Sequence, residues 1–262
     1  LAKLYQRGDY IKMDKFTEKI GLFDIWTVLF PGTVFLIVIK SLYNSLLILP
    51  ELVKKADSLF EKITIFLQMN FYTSESLYEL FELLLIAYLV GLLLQELGSI
   101  FKNKVLYKKG KPIDLLGDPQ GGVFNAVQIQ KLSSLFTNLN GEELTTNDKT
   151  KQHEESRYIF HKMNSTLIDK KIAGQYAKLN ALYNMSINLA MVFMLTLLMS
   201  LIFEAEFIFR FKQYYLIVSL VFLDGILIVM IYLLIHHGKR YYLYWTRNIV
   251  YAYQKLLTEE SI

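Results

Sequence analysis

An aspartate and a glycine, Asp224-Gly225, sit about midway along the apolar run Tyr214–Ile235, and Asp224 is the only charge in it. An aspartate at the centre of a membrane helix costs about 3 kcal/mol on an insertion scale. A group held there at that cost points to an ion or proton path, or to a polar contact between helices. In the second role Asp224 is protonated or hydrogen-bonded, and Gly225 lets a neighbouring helix approach. Both roles stay open at this level. Pro31-Gly32 interrupts another apolar run near its middle. Proline removes one backbone hydrogen bond and can kink a helix, which leaves carbonyls for a neighbour or an ion. Gln95-Glu96 lies between Gly91 and Gly98, two glycines on one helix face. That spacing predicts a close helix contact, with Glu96 paired to a nearby lysine. Glu79 and Glu82 are three apart and share a face, where they attract cations or end a solvated helix. Asp24 reads as a charge at a helix N-terminus.

Other chemistries are excluded. His153, His161, His236 and His237 lack the HExxH spacing of a zinc site, and Gly117–Gly122 lacks the Gly-Lys-Ser/Thr ending of a phosphate loop. No nucleophile elbow or triad pattern is present. Asp224-Gly225 matches the start of a phosphatidyltransferase motif, but residues 226–235 carry none of its further aspartates or its arginine. The sequence therefore predicts no catalytic, cofactor-binding or metal-ligating residue and no enzyme. Lys239, Arg240, Tyr241, Tyr244, Trp245 and Arg247 crowd cations and aromatics directly after an apolar run. Such residues stack on nucleic acid in some proteins. In this position they fit a belt that meets lipid headgroups. The expected partner is the bilayer, not nucleic acid.

The elements that position these residues follow from composition. Of 262 residues, 53% are hydrophobic and 20% charged, so the apolar residues must be clustered. That content excludes a disordered chain, and the absence of Cys excludes a disulfide framework and thiolate metal sites. The net charge of +4 belongs to particular segments and says nothing about partners. A bilayer core about 30 Å thick needs roughly 20 apolar residues as a helix. Four runs approach that: Leu22 to about Leu49, with Lys40 able to snorkel; a second around Leu83–Gln95; Leu179–Phe203, uncharged throughout; and Tyr214–Ile235. The second run is short, but its approach has no Lys or Arg over Thr64–Tyr78, and Lys102, Lys104, Lys108, Lys109 and Lys111 follow it. That step fits a crossing from outside to inside. A three-span arrangement with the amino terminus outside spreads the basic residues about equally well, and the local step favours four.

The expected fold is an all-α integral membrane protein with four transmembrane helices and a helical cytosolic insert between spans two and three. Residues 1–21 form a cytosolic N-terminal segment, with 1–12 read as an upstream extension before Met13. Residues 22–100 hold the first helix pair and an outer loop with a short helix over Ala56–Met69. Residues 101–178 form the insert and stalk, 179–235 the second helix pair, and 236–262 a cytosolic interfacial tail. Within the insert, Phe124, Val127, Leu132, Leu135, Phe136 and Leu139 recur at helical spacing as far as Asn140-Gly141. A stalk helix follows from Glu154, with a break near Asn164-Ser165 or near Gly174.

Leu29-Phe30-Pro31-Gly32, Leu92-Leu93-Leu94-Gln95-Glu96-Leu97-Gly98 and Leu182-Tyr183-Asn184-Met185-Ser186, with the basic aromatic tail, resemble uncharacterised bacterial multi-pass membrane proteins of similar size. Some of those resemble membrane effectors of antiviral defence. Four spans with the basic residues inside put both termini in the cytosol. The reading that follows is a non-enzymatic protein of the bacterial cytoplasmic membrane that works as a homo-oligomeric effector or pore-like component controlled through the insert. The alternative is a scaffold or accessory subunit that anchors a cytosolic protein partner.

Overall fold

The structure is a computed structural model that describes residues 24–41, 77–108, 110–142, 148–172, 174–206 and 214–260. The expectations for the start at Met13, for the Ala56–Met69 helix and for the end of the first apolar run lie outside the described residues. All regular structure among the described residues is helical. We label the helices α1 (Ile25–Ser41), α2 (Leu77–Phe101), α3 (Ala126–Asn140), α4 (Lys149–Asp169), α5 (Gly174–Glu206) and α6 (Tyr214–Glu260). A 3-10 turn, Pro112–Leu115, lies between α2 and α3.

Two stretches, Leu80–Leu106 and Tyr176–Ile202, are long and apolar enough to cross a membrane, and α1 is a shorter apolar helix. Only 22% of the most apolar window in the first stretch is buried, and 44% in the second. The core helix of a water-soluble protein would bury most of that surface. Phe81, Leu89 and Leu93 on α2 are exposed instead, which fits a helix that faces lipid or a partner.

The described residues divide into two compact units. One comprises Leu1–Gly98 and Met185–Leu234, and the other Ser99–Asn184 and Ile235–Ile262. Helices α2, α5 and α6 run through the points of division. The 47 residues of α6 rise about 70 Å at 1.5 Å per residue, more than twice a bilayer core. At most part of α6 lies in hydrocarbon. Residues 236–262, read from the sequence as a separate interfacial tail, therefore continue this helix as far as Glu260 and belong to the second unit. The physical reason lies in the pattern: no proline breaks residues 236–260, and Tyr242, Ile249, Val250, Tyr253 and Leu256 form one buried stripe at helical spacing.

The core of the second unit combines that stripe with Leu132, Leu135, Phe136 and Leu139 of α3 and Ile159, Phe160, Met163 and Leu167 of α4. Asn125 and Gln128 cap α3 reciprocally, each side chain accepting from the other's backbone N–H at 2.9 and 3.0 Å. Gly141 ends α3 at φ 87°, a left-handed conformation that a side chain would strain. Asp148 Oδ1 accepts from the N–H groups of Thr150 and Lys151, so α4 starts earlier than its apolar periodicity alone suggests. Helix α4 crosses Asn164-Ser165 without a break. The break comes just before Gly174, where Lys171 adopts φ 59°.

In the first unit α1 and α2 meet backbone to backbone. A Cβ added at Gly32 would fall on the Ala87 carbonyl, and one at Gly91 would fall on the Val28 carbonyl. Such an approach allows van der Waals contact along both helices where lipid offers no hydrophobic drive to associate. Gly91→Ala is expected to push α1 from α2 and lower stability by about 1–3 kcal/mol. Gly225→Ala, whose Cβ meets nothing within 4 Å among the described residues, is expected to be neutral or slightly stabilising through helix propensity. Thermal unfolding of the two variants in detergent checks the pair.

Candidate functional site

Pro31 has no N–H, so the carbonyl four residues back, that of Thr27, loses its intrahelical donor. The backbone relieves the clash in a π-helical turn, Ile25–Leu29. Asn188 of α5 then donates its Nδ2 to the Thr27 carbonyl at 2.6 Å, and both residues are fully buried. Between a neighbour and an ion, the neighbour takes this carbonyl. The same amide explains Gly98, because a Cβ there would lie 2.7 Å from Asn188 Oδ1. The two glycines of α2 thus serve different partners: Gly91 admits α1, and Gly98 admits the Asn188 side chain. Motif reading passed over Asn188. The signal that finds it is a polar residue at every fourth position of α5, namely Asn180, Asn184, Asn188, Thr196, Ser200 and Glu204, broken only at Val192.

Asp224 lies over nine-tenths buried against Glu204, the last member of that row, which is 9% exposed. The two carboxyls lie close enough to interact. Glu204 Oε1 and Asp224 Oδ1 each remain buried without a partner, as does the hydroxyl of Ser200 one turn before Glu204. Two negative charges in contact at low dielectric repel strongly, and one shared proton or one bound cation removes the repulsion. Glu204 stands just beyond the candidate span Tyr176–Ile202. The pairing therefore sets Asp224 level with the end of that apolar stretch, whereas the sequence placed it near the middle of Tyr214–Ile235. Among the described residues Gly225 admits no neighbour and opens instead on a shallow apolar hollow lined by Val221, Phe222, Ile226, Val229 and Met230. Glu96 is exposed, and no ion pair is seen for it among the described residues.

The second unit is organised around stacked aromatics. Tyr183 and Tyr242 stack with ring centroids 4.5 Å apart, Trp245 stacks on Tyr242 at 5.7 Å, and Phe160 meets Trp245 edge-on at 5.1 Å. Tyr107 stands edge-on to Tyr242 at 5.6 Å, and burial pushes its phenol up to about 12. Burial raises Tyr242 as well. Asp114, buried in the 3-10 turn, accepts from Arg157 Nε and from the Lys111 N–H, both at 3.0 Å. The Asp114 carboxylate holds the Arg157 guanidinium above its usual range.

Two of the expected lipid-interface residues have other work. Trp245 packs between Phe160 and Tyr242, and Arg247 donates to the carbonyls of Val123 (2.6 Å) and Gly122 (3.2 Å), which fixes the glycine-rich turn. Gly122 takes φ 74° there, as a turn requires. Lys239, Arg240 and Tyr244 are exposed, Arg240 donating to the Tyr244 hydroxyl at 3.3 Å, and Tyr241 lies half-buried beside His237. Among the described residues no group of three or more His, Cys, Asp or Glu could hold a metal ion.

Two outcomes follow from these contacts. Asn188→Leu is expected to remove the 2.6 Å bond to the buried Thr27 carbonyl and cost about 1–3 kcal/mol. The cost should shrink in a Pro31→Ala background, where residue 31 regains the N–H that serves that carbonyl, so a double-mutant cycle by thermal unfolding reads the coupling. The raised Tyr107 makes the second unit sensitive to alkali. Its stabilising effect is fully present below the unfolded value of 10.0 and is lost as pH rises through about 12, by about 1.4 kcal/mol per pH unit over that window. Tyr107→Phe is expected to flatten this slope, measured by near-UV circular dichroism between pH 9 and pH 12. Comparison with protein family models, with curated proteins and with solved structures finds no match for this chain.

Proposed function

We propose that this chain is a non-enzymatic protein of a bacterial cytoplasmic membrane, with four spans and cytosolic termini. In this reading it assembles with copies of itself and acts as a membrane effector or pore-like component. The observation that carries the reading is the Glu204–Asp224 pair. A chain that serves only as an anchor gains nothing from two carboxyls packed against each other in an apolar helical unit, where each costs free energy to bury. A pair that exchanges a proton for a cation, or that separates when the helices shift, has a use for that cost. Helices α5 and α6 run unbroken from the second unit into the first. A ligand or partner that displaces the second unit therefore acts on the same two helices that carry Glu204 and Asp224. Likeness to antiviral-defence effectors belongs to this reading and rests on the sequence motifs alone.

A scaffold role for a cytosolic partner is the second reading. It is favoured by the way Asn188 satisfies the carbonyl freed by Pro31, which makes that site a packing device. Membrane potential and growth separate the two in bacteria that express matched levels of wild type, Asp224→Asn or Glu204→Gln. Depolarisation by the wild type that either variant reduces at least about tenfold is the expected result. Equal potential and growth in all three strains would leave the scaffold reading.

A further inference from the structure

A cavity of about 190 Å³ opens within the second unit, with Lys102, Lys111, His161, Asn180, Tyr183 and Trp245 among its walls, and no carboxylate lines it. Its cations are positioned. Lys102 Nζ donates to Asn184 Oδ1 at 2.9 Å and stands 5.3 Å over the Tyr183 ring. Asn184 is itself oriented, since its Nδ2 donates to the backbone and side-chain oxygens of Asn180. The nearby carboxylate that could have neutralised the cavity, Asp114, is turned away: it is occupied by Arg157 and by the backbone N–H of Lys111. That bond fixes the Lys111 backbone at the cavity wall.

We infer that this cavity binds a phosphate group. Two lysines and an imidazole facing one space, with no acid among them, create a positive potential that a small anion relieves. Lysine is a standard point-charge partner of phosphate, and asparagine amides add neutral donors. Size limits the ligand further. Pockets for drug-sized molecules start at about 300 Å³, so this one takes a phosphate with a small polar substituent and not a whole nucleotide. The Tyr242–Trp245 wall is apolar and suits a glycerol or short alkyl arm on that phosphate. A lipid headgroup and a free phosphate ester offer the same chemistry. The inference supplies the ligand class for the second unit in the function proposed above and rests on that reading only for its consequence, because binding is read separately from membrane potential.

The test uses the full chain with Trp26→Phe, which leaves Trp245 as the only indole of the two in the sequence, purified in a maltoside detergent that carries no phosphate. Its emission is followed at constant ionic strength while inorganic phosphate, short-chain phosphatidylglycerol or the matching diacylglycerol is added. A saturable change with a phosphate-bearing probe and none with the diacylglycerol is expected. Saturation by phosphatidylglycerol at far lower concentration than by inorganic phosphate identifies a headgroup site, and comparable concentrations identify a site for soluble phosphate esters. Lys111→Gln and Lys102→Gln should each weaken binding roughly tenfold or more, while Lys149→Gln at the exposed start of α4 should not. Lys111, partly exposed with its backbone anchored, serves as the variant least exposed to a folding defect. No saturable change with any phosphate-bearing probe would overturn the inference. So would a response that survives Lys111→Gln unchanged.

Discussion

The amide of Asn188 joins three helices of the first unit. Its donor end takes the Thr27 carbonyl that Pro31 deprives of a partner, and its oxygen fills the space that Gly98 leaves on α2. Each of the three residues would be costly alone. The proline breaks a helix, the glycine weakens one, and the asparagine is a polar side chain with no exposure to water. Together they convert three local defects into one fixed meeting point. Gly32 and Gly91 complete the arrangement by bringing the backbones of α1 and α2 into contact. In an apolar surrounding, where side-chain burial gives little preference for one helix partner over another, such polar and small-residue contacts set the register.

The register of α5 has a consequence farther along the helix. The row of polar residues that contains Asn188 continues through Thr196 and Ser200 to Glu204. Thr196 returns its hydroxyl to the Val192 carbonyl at 2.9 Å and so costs little. Ser200 and Glu204 have no such local solution for the Ser200 hydroxyl and Glu204 Oε1. Asn188 Oδ1 is likewise buried without a hydrogen-bond partner, so the row carries open acceptors at Asn188 as well as at Glu204. An open acceptor in a buried polar row is a place where a proton or cation can act.

The second unit solves a different problem. Its helices are too polar to fold by burial alone along their whole length, and turns connect them. Asp114 and Arg157 tie the 3-10 turn to α4, and Arg247 ties the glycine-rich turn to α6. The aromatic stack of Tyr183, Tyr242 and Trp245 fills the space between, with Tyr107 closing one side. Residues that seemed on composition alone to belong to a lipid interface thus divide into two groups. Trp245 and Arg247 build the unit, and Lys239, Arg240 and Tyr244 face outward.

Helical class, the apolar runs around Leu83–Gln95 and Leu179–Phe203, and a helix ending at Asn140-Gly141 were legible in the sequence; Phe124 lies before that helix, which starts at Ala126, and Val127 is exposed rather than on its apolar face. Each depends on periodicity, capping or glycine within a few residues, and such local rules act before any tertiary contact forms. Gly91 and Gly98 were legible as a helix contact for the same reason, since spacing places them on one face. Their separate partners were not, because a face says nothing of what lies against it. Asn188 was hidden because an isolated asparagine in an apolar run carries no motif, and its role exists only where the Thr27 carbonyl reaches it. Glu204 became part of the site through the pairing of α5 with α6, which sets two carboxyls side by side although they lie 20 residues apart in the sequence. The length of α6 past Ile235 was likewise decided by packing: Tyr242, Ile249 and Val250 found a core to enter, and a helix with a buried face does not end where its lipid-compatible stretch ends. Composition and periodicity determined which helices this chain makes; tertiary contact decided which polar groups meet, because distances between segments are set by packing and are not written at any single position.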